Sequence, residues 1–111
     1  MHRALIIDND TDHADGLREL LRRHSCEADR AADSEQAVMR LRCYAERYEL
    51  VILTIADNRS PWWRILEKLR DVCQCSERWS APLFLCIGRI ELRPEFILRL
   101  ERLGARYVRE R

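Results

Sequence analysis

Three short runs in this chain are apolar at every position: Ala4-Leu5-Ile6-Ile7, Leu50-Val51-Ile52-Leu53 and Leu83-Phe84-Leu85-Cys86-Ile87. An uninterrupted apolar run of this length suits a strand buried on both faces, as in a parallel sheet covered by helices. Ala105-Arg106-Tyr107-Val108 is a shorter candidate strand, and Cys26 to Ala31 alternates weakly, as an edge strand does. Between these runs the apolar positions recur every three to four residues, the spacing of amphipathic helices. The first such segment carries Ala14, Leu17, Leu20 and Leu21. Asp33, with Gln36 three residues on, reads as a capping box ahead of Ala37, Val38, Leu41 and Ala45. Ser60-Pro61 reads as N-cap and first turn of a helix with Ile65, Leu66, Leu69 and Val72. Pro94 opens a helix with Phe96, Ile97, Leu100 and Leu103, and Gly104 stops it.

The order of elements is therefore β-α-β-α-β-α-β-α-β. Right-handed crossovers turn this order into a doubly wound α/β sheet of five parallel strands. The run of elements ends on the fifth strand, so a helix normally expected to follow is absent and some apolar surface is left uncovered. The expectation is a single domain over residues 1–111, cut from a longer protein; the alternative is that a partner supplies the cover.

Composition narrows the picture only in places. A hydrophobic fraction of 47% and a charged fraction of 35% are ordinary for a globular chain. The net charge of +1 offers no global field for nucleic acid. No apolar run approaches the roughly 20 residues that span a bilayer. No cleavage-site pattern follows Met1, so a cytoplasmic location is the default expectation. The five cysteines are odd in number and irregularly spaced, which argues against a disulfide framework. Cys73-Gln74-Cys75 has no second pair, so no metal site is expected there. Lys68 is the only lysine.

In an open α/β sheet the functional crevice lies at the carboxyl ends of the strands, where the winding reverses. Here that places Asp8, Asn9, Asp10 and Thr54 together. Leu5 to Asp10, Leu17 to Leu21 and Ala31 to Ala37 resemble the opening of a response-regulator receiver domain. Tyr48 to Leu53, Ala81 to Leu85 and Gly104 to Val108 continue the likeness through to the fifth strand. The resemblance implies the flavodoxin-like receiver fold, strand order 2-1-3-4-5, here without its last helix. It also implies what a working pocket would contain. An aspartate at the end of the third strand accepts the phosphoryl group, and two acids after the first strand help to hold Mg²⁺. A hydroxyl after the fourth strand and a lysine after the fifth bind the phosphoryl group.

Position by position, this chain departs from that pattern. Asp8 keeps the first acid, but Asn9 replaces the second, the one expected to touch the metal directly. Thr54 stands at the acceptor position and Ile87 at the hydroxyl position. Arg109, Glu110 or Arg111 falls at the lysine position, depending on how the turn is aligned. Asn58 stands where the family has a proline, with Pro61 three residues later. Asp10 is a possible substitute metal ligand, whereas Asp57 is expected to point away from the pocket. The expected outcome is a degenerate phosphoacceptor pocket of Asp8, Asn9, Asp10, Thr54 and Ile87, with no catalytic residue, no enzyme activity and Mg²⁺ binding weak or absent.

The leading reading is a pseudo-receiver: a regulatory, protein-interaction domain of two-component type that works without phosphorylation. Its expected partner is a protein, an output domain or a second copy, met on the fourth helix and fifth strand (Glu91, Arg106, Tyr107); no direct contact with nucleic acid or membrane is expected. Trp62-Trp63 supplies one core indole and one exposed candidate anchor for that partner. Two other readings compete. One is a small-ligand sensor with a cavity beside Thr54 and Ile87, and the other is a live receiver with an unorthodox acceptor. His13 sits in the H-x-x-G half of a cobalamin signature (His13 to Gly16), but Thr11 replaces its aspartate and the chain has only three glycines. His13 is therefore read as an exposed residue in the first turn of a helix.

Overall fold

The computed structural model describes residues 2–44, 48–56, 61–74 and 82–110. Along these the elements run β1 (His2–Ile7), α1 (Thr11–Arg23), β2 (Cys26–Ala31), α2 (Ser34–Tyr44), β3 (Leu50–Ile55), α3 (Trp62–Gln74), β4 (Leu83–Gly88), α4 (Pro94–Arg102) and β5 (Ala105–Arg109). All five strands are parallel, in the order β2-β1-β3-β4-β5. This is the doubly wound sheet that the apolar runs predict, and winding reverses between β1 and β3. No helix of the described residues is long and apolar enough to cross a membrane.

Because successive strand residues point to opposite faces, each run feeds two cores. Leu5, Ile7, Val51, Leu53, Ile55, Phe84 and Cys86 face the side covered by α2, α3 and α4. Ala4, Ile6, Ile52 and Ile87 face the side covered by α1, through Ala14, Leu17 and Leu21. Burial among these apolar groups pushes the Cys86 thiol up to about 12.

The local punctuation behaves as its chemistry requires. Asp33 accepts from the Gln36 N–H at 2.9 Å, while the Gln36 side chain accepts from Ala32 N–H at 2.9 Å. The reciprocal bond of the capping box thus lands one residue earlier than in the standard form. Ser60 and Ala45 lie outside the described residues, and the Pro61 carbonyl accepts from the N–H groups of Arg64 and Ile65 in the first turn of α3. Gly104 has φ +77°, the left-handed conformation that favours glycine. At Gly88 a side chain is excluded for another reason. A Cβ there would lie 2.8 Å from both the Ile55 carbonyl oxygen and the Tyr107 hydroxyl. In α4 the phase departs from expectation: Phe96 is half-buried and Leu100 buried, but Ile97 and Leu98 face outward.

The exposed side of β2 is held by one polar cluster. The Asp29 carboxylate accepts from the Tyr48 hydroxyl at 2.7 Å and from Arg3 at 3.0 Å. Burial, the largest influence, opposes its charge, yet the bonds from Tyr48 and Arg3 together with the positive charges of Arg3 and Arg40 outweigh it and hold the carboxyl below the usual range.

Candidate functional site

At the carboxyl ends of β1, β3 and β4 the described residues surround an open depression of about 740 Å³. Asp8, Asn9, Asp10, Thr54, Ile87 and Glu110 all line it, so every expected pocket residue is brought to one place. What each side chain does there is more specific than the sequence indicates.

Asp8 is almost fully enclosed, with 5% of its surface exposed. One carboxylate oxygen accepts from the Asp10 N–H at 2.9 Å, and the other bonds His13 Nδ1. Arg30 Nε donates to the Asp8 carbonyl at 3.0 Å, pinning the backbone from β2. Asp10, at the rim of the depression, caps α1, accepting from the N–H groups of Asp12 (3.1 Å) and His13 (3.2 Å). Its carboxylate is therefore engaged with the helix N-terminus, where negative charge is favoured. Asn9 is exposed. The Thr54 hydroxyl donates to the Ile7 carbonyl at 2.9 Å, a bond across β1 and β3 that ties its proton to the backbone. Ile87 is buried and apolar. Asp57 and Asn58 lie outside the described residues, as does Arg111.

The reading of His13 as an exposed residue is corrected. Only 25% of its side chain is accessible, and its ring crosses the depression. Nε2 lies 2.8 and 2.9 Å from the two oxygens of Glu110, which follows β5. Of the two described candidates for the lysine position, Arg109 and Glu110, it is Glu110 that lines the pocket, so a negative group stands where the resemblance implies a positive one. Arg89 flanks it at 3.5 Å. Hydrogen bonds to Asp8 and then Glu110 hold the His13 pKa above the ordinary histidine value, against the pull of burial.

A receiver-type pocket implies Mg²⁺, a hard cation that takes oxygen ligands. These residues do not suit it. Both Asp8 oxygens are already engaged, Asp10 caps a helix, Asn9 offers a neutral amide, and the nearest nitrogen base is itself held between carboxylates. Among the described residues no group of three or more His, Cys, Asp or Glu side chains is arranged to hold a metal ion.

Elsewhere, Trp62 is buried at 2% exposure in the first turn of α3, and Trp63 beside it is half-buried. Trp63 stacks on Phe96 at a centroid distance of 5.9 Å, and the Arg99 guanidinium lies 5.5 Å over its ring. Glu91 and Arg106 are exposed, whereas Tyr107 is half-buried with its hydroxyl donating to the Ile90 carbonyl.

No family model matches the sequence, and no curated protein matches it. Solved structures do match. A two-component response regulator from Clostridium difficile superposes with a TM-score of 0.76 at 23% identity, over 99% of this chain and 84% of that one. The CheY-like receiver domain from Methylobacillus flagellatus gives 0.78 at 15% identity, over 99% and 86%. Vibrio cholerae chemotaxis protein CheY4 gives 0.76 at 19% identity, over 99% and 87%. With the strand order and the four helices, these likenesses show that the chain has the fold of a response-regulator receiver domain.

Proposed function

We propose that this chain is a regulatory domain of two-component type that works without aspartyl phosphorylation and without enzymatic activity, signalling through contact with a protein. One observation carries the reading: the pocket satisfies its own polar groups. Phosphoryl transfer needs an ionised nucleophile, a cation to neutralise the phosphoryl oxygens and donors aimed at them. Thr54 offers a neutral hydroxyl whose proton is committed to Ile7, Ile87 offers no donor, and Glu110 puts an acceptor where a phosphoryl oxygen would need a donor.

The contact surface fits α4 and β5. Ile97 and Leu98 stand exposed on α4, and β5 is the outer strand of the sheet, carrying exposed Arg106 and Val108. An outer strand with an open backbone edge and two arginines, Arg106 and Arg109, suits a protein partner, an output domain or a second copy. Trp63 adds a half-exposed aromatic at the α3–α4 corner. A second reading, a small-ligand sensor, draws support from the depression that opens beside Thr54 and Ile87.

Intact-mass spectrometry after incubation with Mg²⁺ and acetyl phosphate tests the main reading, with an orthodox receiver as control. The expected result is an unmodified chain beside a modified control. Thr54→Asp is expected to stay unmodified too, since the metal ligand, hydroxyl and lysine are still missing. A gain of one phosphoryl group by the wild-type chain overturns the reading in favour of an unorthodox acceptor.

A further inference from the structure

His13 lies between carboxylates brought from opposite ends of the sequence: Asp8 at the end of β1 and Glu110 after β5. An ionised carboxylate can only accept hydrogen bonds, and a neutral imidazole has one N–H and one lone pair. A neutral ring would therefore set its lone pair against an oxygen lone pair on one side. Both contacts are satisfied together when both ring nitrogens carry a proton, which makes the ring a cation with a charge-assisted bond on each side.

We infer that the His13 imidazolium is the built-in cation of this pocket, standing in for a divalent metal and clasping α1 to the end of β5. The inference rests on the reading of the pocket as one that uses no metal, and it adds what assembles the pocket instead: a proton. The remaining charged groups around the ring suit that role. Asp10 caps its own helix and Asp12 lies on it, Asp33 follows β2, and all three line the same depression. Against them stand Arg30, bonded to the Asp8 backbone, and Arg89 beside Glu110. The carboxylates outnumber the guanidiniums around the ring, so the local field favours the protonated form. Leu53, Thr54 and Ile55, the residues that β3 contributes, are all neutral.

The clasp has a direction in pH. A histidine held above its unfolded value of about 6.5 contributes fully below that value. Its contribution is lost as pH rises through the raised folded value. On deprotonation one of the two bonds is lost, and the bridge from Asp8 through the ring to Glu110 is broken.

Nitrogen-15 NMR of the histidine side chains across neutral and alkaline pH reads this directly in the full chain, with no phosphodonor present. The His13 signals are identified by their loss in His13→Gln. In the wild-type chain both ring nitrogens of His13 are expected in the protonated range at neutral pH, with the midpoint above that of free histidine. Glu110→Gln is expected to move the midpoint down, and millimolar Mg²⁺ is expected to leave it in place. A ring with one protonated nitrogen at neutral pH, or a midpoint indifferent to Glu110→Gln, overturns the inference. Displacement by Mg²⁺ overturns it as well. If the acetyl phosphate experiment gives modification while His13 stays doubly protonated, the phosphorylation-independent reading fails and the clasp survives; a neutral ring with no modification is the reverse case.

Discussion

The two faces of the sheet are built from the same strands but closed very differently. Among the described residues, twenty buried side chains form the core under α2, α3 and α4, against seven in the core under α1. On the α1 side the β4 and β5 surface stays open: Leu83 is 73% exposed and Val108 49%, and Leu20 stands clear on the flank of α1. Alternation along each strand supplies apolar groups to both sides in nearly equal measure, so the difference lies in the number of covering helices. A strand can be fully apolar in sequence and still half wet.

Truncations test that contrast. Trp62→Ala on the closed face should cost about 3–5 kcal/mol of unfolding free energy, the range for a large aromatic removed from a packed core. Urea unfolding at equilibrium measures it. Leu85→Ala on the open face should cost about 1–2 kcal/mol, because its side chain is only half-buried and water already reaches the site. A loss as large as that of Trp62→Ala would break the contrast, meaning that something covers this face in solution. Leu83→Ser should fall within about 0.5 kcal/mol of the parent. A marked drop in self-association for the same variant, read by sedimentation, would identify a second copy as the cover.

The pH dependence sharpens the comparison at the two ends of the sheet. Asp29, whose pKa lies below its unfolded value, contributes fully above about pH 3.9. That contribution is lost as pH falls through the depressed value. His13 behaves in the opposite sense, on the alkaline side of about 6.5. Thermal unfolding across pH should therefore show an acid edge abolished by Asp29→Asn and a separate alkaline edge abolished by His13→Gln.

The fold was legible because its signals are local and redundant. Continuous apolar runs mark doubly buried strands, and Pro94, Gly104 and the Asp33/Gln36 pair mark helix ends by their backbone chemistry. The pocket was legible in membership but not in wiring. Asp10 was an available acid in sequence, yet the start of α1 claims its carboxylate. His13 looked like a surface residue because α1 carries its apolar stripe on Ala14, Leu17 and Leu21, and nothing local says that the first turn overhangs the end of β1. The available signal was a pair: a histidine early in α1 and an acid at the lysine position. Neither means anything alone, and their meeting depends on β5 lying where the completed sheet puts it. Ile97 illustrates the smaller error, in which spacing gave the helix but not its rotation about its own axis.

His13 and Glu110 are 97 residues apart in the chain. Closing a loop of that span before the sheet exists gains one contact for a large loss of chain freedom. The clasp therefore belongs to the end of folding, after the strands from β1 to β5 have paired. An interaction absent from the transition state governs how fast the native molecule comes apart and hardly how fast it forms. In this chain the protonated ring acts as a kinetic lock on the finished sheet, holding its first strand to its last.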